Sequence, residues 1–299
     1  MNPETPSALR SQYFYTAPGI RLHAKVCGPQ DAPVLLFVHG FPEFWFTWRH
    51  QLREFSSTHR CVALDLRGFN LSSQPDEVSA YKAPHILADL RSVIAQLGAT
   101  VEAVIAHDWG GALCWSLAAQ HPELLRKLAI LNAPHTVLFA RAMAHDAGQM
   151  AASQYMNTLR RDGAEARLAA QGFASLRAML GPLDMTAEEQ AHYLACWRLG
   201  LRGGCNFYRA SPLHPDTAET PGAMAALCEQ LRPEDFHVHV PTQVIWGLGD
   251  PALRPVLLDG LDGLVDDLRI HRIADAGHWL PHAHAPEVNQ VLRAFLGCP

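Results

Sequence analysis

Apolar and polar positions follow two rhythms along this chain. Residues 19–28, GIRLHAKVCG, alternate with period two, the pattern of a half-buried strand. Residues 33–40, PVLLFVHG, are continuously apolar up to Gly40, as a strand covered on both faces is. CVALDLRG (61–68), VEAVIAHD (101–108) and KLAILNAP (127–134) repeat that second pattern. Between them, TWRHQLREF (47–55) is amphipathic, APHILADLRSVIAQLG (83–98) has helical spacing closed by Gly98, and ALCWSLAAQ (112–120) reads as a helix. Strands alternating with helices predict an α/β fold: a mostly parallel sheet flanked by helices.

The rhythm changes near residue 134. Residues 135–232 are rich in Ala, Leu, Arg, Met and Glu and contain no buried-strand run. Strand character returns in HVPTQVIWGLGD (239–250) and LRIHRIADAGH (268–278), and APEVNQVLRAFLG (285–297) closes the chain with a helix. The expected organisation is a core made of 1–133 and 214–299, split by an inserted helical cap at 134–213.

Composition narrows the class. The 299 residues are 48% hydrophobic and 18% charged, as in a globular protein rather than a disordered one. A net charge of −5 without a basic block gives nucleic acid and anionic membrane surfaces no handle. No apolar run approaches the roughly 18 residues of a membrane span, and the polar first residues do not read as a signal peptide. The seven cysteines are scattered without a CxxC pair, which suits reduced thiols and a cytoplasmic protein. HVH (237–239) and HAH (282–284) have no partner cluster in the sequence and read as surface histidines, so no metal is expected.

Open α/β sheets place their sites in loops after the carboxyl ends of strands. Four segments fall there: HGFPE (39–43), HDWGG (107–111), GLGDPAL (247–253) and DAGHW (275–279). Ala106-His107-Asp108-Trp109-Gly110 has the small-x-nucleophile-x-small form of a nucleophile elbow, with aspartate where esterases carry serine. The competing reading makes Asp108 an ordinary helix N-cap. Chain order favours the first, because Asp108, Asp250 and His278 follow the hydrolase order of nucleophile, acid and histidine. Asn132, which follows another strand, cannot carry the charge that the acid must supply. Backbone N–H groups of Phe41 and Trp109 are the expected oxyanion donors. In DLRG (65–68), Asp65 and Arg67 read as loop ties.

HGFPEFWFTWRHQL, DLRGFNLSS, HDWGG, IWGLGD and DAGHW together resemble the α/β-hydrolase superfamily. More narrowly they resemble its epoxide hydrolase and haloalkane dehalogenase branch, which uses an aspartate nucleophile. CNFYRA (205–210) is similar to the cap segment of epoxide hydrolases and implies Tyr208 as a ring-opening acid. SQYMNTLRRDGAEARL (153–168) resembles the segment that carries the second, implying Tyr155. Each tyrosine has core packing as its ordinary alternative, and Tyr193 has no motif support. His39, Pro42, Trp109 and Phe207 are expected to line the substrate pocket. The resemblance implies hydrolysis of an apolar or aromatic epoxide through an Asp108 ester, in a monomer or homodimer without cofactor. Two alternatives stay open. A dehalogenase would use the same triad, with Trp109 or Trp197 on a halide, or Arg202 or Arg209 on a carboxylated substrate. A catalytically inactive receptor could use the same fold.

Overall fold

The continuously apolar runs form the centre of one eight-stranded sheet. The computed structural model describes residues 9–181 and 185–298. Its strands are β1 (Arg10–Ala17), β2 (Ile20–Cys27), β3 (Val34–Val38), β4 (Arg60–Leu64), β5 (Ala103–His107), β6 (Leu128–Leu131), β7 (Thr242–Gly247) and β8 (Leu268–Ile273). Their order across the sheet is β1-β2-β4-β3-β5-β6-β7-β8. β1 and β2, and β2 and β4, pair antiparallel, while every pair from β4 to β8 is parallel. All five residues of β3 and of β5 are buried, because helices cover both faces there.

β1 is absent from the sequence reading. Its pattern is mostly exposed, with only Phe14 buried, since an antiparallel edge strand has one face in solvent. Helices α1 (Arg49–Phe55), α2 (Ala83–Leu97) and α3 (Asp108–Gln120) come from the first half of the chain. The stretch between β6 and β7 is helical: α4 (Thr136–His145), α5 (Ala147–Ala152), α6 (Tyr155–Arg160), α7 (Ala164–Leu180), α8 (Ala187–Arg198), α9 (Arg202–Ala210) and α10 (Ala223–Gln230). α10 packs against α4. α7 is two helical pieces joined across 170–173, where Gln171, Gly172 and Phe173 have φ of 51°, 64° and 64°. The chain ends with α11 (Leu280–Ala283) and α12 (Ala285–Leu296).

Strand order sets the position of the site. β3 leads to β4 on one side and β5 starts on the other, so the crevice between their carboxyl ends is a topological switch point. The loops after β3, β5, β7 and β8 all open at that end. The DLRG segment braces it. Asp65 accepts bonds from the Trp45 N–H at 2.8 Å, Asn70 Nδ2 at 2.7 Å and His23 Nδ1 at 2.6 Å. Arg67 grips Asp89 with two bonds of 2.8 Å, a buried fork that fixes α2 to this loop.

Candidate active site

β5 ends at His107 and α3 begins at Asp108, so the chain must turn within one residue. Asp108 takes φ 52°, the left-handed region, which costs energy in a non-glycine residue. Crowding explains its small neighbours. A Cβ on Gly110 would lie 2.4 Å from the His39 carbonyl, and one on Gly40 would lie 2.0 Å from Asp108 Oδ1. The N-cap of α3 is His107, without a side-chain cap bond, so Asp108 is not the N-cap residue. Its Oδ1 accepts the Phe41 N–H at 2.7 Å, and the Trp109 N–H adds a second backbone bond to the carboxylate. Its Oδ2 lies 3.6 Å from His278 Nε2.

His278, in the loop after β8, turns its other nitrogen to Asp250, with Nδ1–H donating to Oδ2 at 2.6 Å. Asp250, in the loop after β7, also accepts Asn132 Nδ2 on Oδ2 and the N–H groups of Ala252 (2.8 Å) and Leu253 (2.9 Å) on Oδ1. Asn132 in turn accepts the Gly247 N–H at 2.8 Å. Burial works against charge on Asp250, but the His278 charge and these donors outweigh it and hold its pKa below the ordinary range. Asp108 likewise stays ionised, because His278 overcomes its burial. Burial lowers the pKa of His278, yet the two carboxylates beside it raise it from 6.5 to about 10. The resting site is an imidazolium between two anions. Asp108 retains 12% side-chain exposure and Asp250 none, so of the two carboxylates only Asp108 can meet a ligand.

Asp108 opens into an apolar cavity of about 60 Å³ whose walls include Trp109, Phe139, Tyr155, Tyr208 and Leu253. The two tyrosine rings stand edge to face, with centroids 6.1 Å apart. Burial, followed by neighbouring negative charge and, for Tyr208, the other phenol, raises both pKa values, so both phenols keep their protons. A second cavity of about 420 Å³ adjoins the first and shares Trp109, Ala112, Thr136, Ser211 and Leu213 with it.

Other expected residues sit elsewhere. His39 is fully buried behind the elbow, its Nδ1–H donating to the Gly40 carbonyl at 2.7 Å and its Nε2 accepting the Leu66 N–H at 3.1 Å. It braces two loops and does not line the cavity beside Asp108. Pro42 is also outside that lining, and its carbonyl accepts Trp197 Nε1–H at 2.8 Å. The Phe41–Pro42 peptide is cis. Phe207 lines the larger cavity, packed edge to face on Trp109 with centroids 5.8 Å apart. Arg202 pairs with Asp76 and Arg209 with Glu165, and neither is among the residues that line either cavity.

Sequence reasoning missed a buried polar group beside the triad. Glu43, fully buried, accepts Tyr193 Oη–H at 2.8 Å and His282 Nε2–H at 3.1 Å. Burial opposes its charge, but the His282 bond and charge hold its pKa below the usual value. It ties the loop after β3 to α8 and α11. His107 donates from Nε2 to the His278 carbonyl at 2.9 Å, and its ring lies 4.6 Å from that of His278. The visible signals were the position of Glu43 straight after HGFP and the tyrosine at 193. Neither reveals a contact across 150 residues.

The alpha/beta hydrolase fold family matches residues 33–285. The chain is 31% identical over 284 residues to Epoxide hydrolase 1 of Caenorhabditis elegans, covering 93% of this chain and 68% of that protein. It is 30% identical over 291 residues to the AB hydrolase superfamily protein YfhM of Bacillus subtilis (strain 168), covering 95% and 96%. A mutant of an epoxide hydrolase from Bacillus megaterium has a crystal structure similar to this one, with a TM-score of 0.86 at 33% identity over 96% of this chain and 100% of that one. Among the described residues no helix is long and apolar enough to cross a membrane. The chain is thus an enzyme of the α/β-hydrolase superfamily and belongs to the branch that holds the epoxide hydrolases.

Proposed function

We propose that the protein hydrolyses an apolar or aromatic epoxide to a vicinal diol through a covalent Asp108 ester. The observation that carries this reading is that one apolar cavity holds an ionised carboxylate and two protonated phenols. A carboxylate can attack an epoxide carbon, and a neutral phenol can give its proton to the oxygen that leaves that carbon. Residues 134–213 act as the cap that brings Tyr155 and Tyr208 to the substrate.

Oδ2 is the attacking oxygen, because Oδ1 is already held by the Phe41 N–H. After attack, Oδ1 is the carbonyl oxygen of the ester, still held by the Phe41 N–H, with the Trp109 N–H as the second backbone donor to this carboxyl group. The ester also removes the anion beside His278 Nε2. Without it the imidazolium loses part of what raised its pKa, and its proton can replace the one that the phenol gave. Neutral His278, oriented by Asp250, then takes a proton from water, and the hydroxide attacks the Asp108 carboxyl carbon. Negative charge develops on Oδ1, where each donor is worth roughly 3–4 kcal/mol. The diol leaves and the carboxylate returns. No step calls for a cofactor.

Halide chemistry fits less well. The Trp197 indole N–H is committed to the Pro42 carbonyl, and Arg202 and Arg209 are paired with carboxylates. The substrate's apolar arm fits the adjoining cavity, since the chamber at Asp108 is small. The test is a panel of aryl and alkyl epoxides, haloalkanes and haloacids. Diol formation without halide release supports the proposal. Halide release that outpaces diol formation would replace it with a dehalogenase.

A further inference from the structure

The HVH motif lies far from this chemistry, and the fold supplies the ligand that its sequence lacks. Val238 is buried and forms an isolated parallel bridge with Val265. Its N–H donates to the Leu264 carbonyl at 2.9 Å, and its carbonyl accepts the Asp266 N–H at 3.1 Å. With extended backbone on both sides, His237 and His239 emerge on one face, and Asp266 joins them from the neighbouring segment. His237 Nε2 lies 2.7 Å from Asp266 Oδ1, and His239 Nδ1 lies 2.8 Å from Oδ2. The two rings are 4.9 Å apart. Among the described residues this is the one group of three such side chains whose ligand atoms, one from each, all fall within 4.8 Å of one another.

We propose that His237, His239 and Asp266 bind a divalent transition-metal ion, Zn²⁺ being the fitting class. Two imidazoles and one carboxylate are borderline donors that suit zinc and its neighbours, whereas Mg²⁺ and Ca²⁺ want oxygen throughout. Ligand distances of about 2.0–2.2 Å need only small movements of exposed side chains. His239 is 62% exposed and Asp266 54%, so water completes the shell.

The site acts on stability, not on turnover. His237 and His239 precede β7 and Asp266 precedes β8, whereas Asp250 and His278 follow those strands. Six strand residues separate the two ends by about 20 Å. The ion would staple the connector that returns from the helical stretch to the turn before β8.

The test is calorimetric titration of Zn²⁺ into chelator-stripped, untagged, full-length protein, with melting followed in parallel. One ion per chain is expected, and at a hundredfold excess over its dissociation constant the midpoint should rise by roughly 5 °C. His239→Ala and Asp266→Asn should each weaken binding at least roughly tenfold while wild-type turnover, itself the check of folding, is kept. No saturable binding in the wild type, or binding that both variants retain unchanged, would overturn the proposal. The second outcome would move the ion to other residues.

Discussion

At Asp108 the two carboxylate oxygens have different surroundings, and the proposed chemistry follows from that difference. One is held by the Phe41 N–H and the other faces an imidazolium. His278→Gln should therefore still form the ester but not release it. Intact-mass measurement should show protein plus one substrate, and unmodified protein after exposure to excess epoxide would contradict the assignment. Replacing both Tyr155 and Tyr208 with Phe should slow ester formation roughly 10²–10⁴-fold, read from single-turnover quenching of the adjoining Trp109. An unchanged rate would return both rings to core packing. The His278 pKa also has a consequence for folding. It is raised from 6.5 to about 10, so the folded chain holds a proton that the unfolded chain gives up above pH 6.5. The stabilisation is complete below that pH and is lost as pH rises through about 10. Thermal midpoints should fall between pH 7 and 10 more steeply in the wild type than in His278→Gln. Parallel slopes would show that the imidazolium is not there.

Elements hold these residues at their distances. The loop after β7 carries Asp250, and α5 clamps it. Gln149, fully buried, donates from Nε2 to the Ala252 carbonyl at 2.8 Å and accepts the Arg254 N–H at 2.9 Å. Arg254 adds an ion pair with Asp146 at 2.7 Å. The helical stretch therefore fixes the loop that orients the histidine. Gln149→Leu keeps the volume but leaves two backbone groups unpaired. It should cost about 1–3 kcal/mol of stability and slow ester hydrolysis more than ester formation. Equal slowing of both steps would reduce Gln149 to a packing residue. Strands with a continuous apolar run were legible in the sequence, because burial on both faces leaves no other pattern. β1 was not, since its burial depends on a partner that one-dimensional periodicity does not reveal. The helix limits were legible where a cap marks them, as at Gly98 and Gly297, whose φ values are 128° and 77°.

Across the whole molecule, legibility follows sequence separation. The elbow could be read because its turn is local. Asp250 and His278 could be read because their loops end predicted strands in a fixed chain order. Glu43 with Tyr193 and His282, Asn132 with Asp250, and Asp266 with the HVH motif could not, because each contact exists only once the sheet has brought distant loops together. The placement of His39 and Pro42 failed for the same reason. A loop can be assigned to the mouth of a site, but which of its side chains turn inward depends on packing. The central claim joins all three scales: the sheet presents Asp108 as a nucleophile whose own carboxyl group, not the substrate, is attacked by water. Its most direct test is a single turnover in heavy-oxygen water, with enzyme in excess and the peptide containing Asp108 weighed afterwards. The account predicts one heavy oxygen in the Asp108 carboxylate and an unlabelled diol. Label in the diol, with an unlabelled peptide, would mean that water attacks the epoxide directly, and the covalent route would fall.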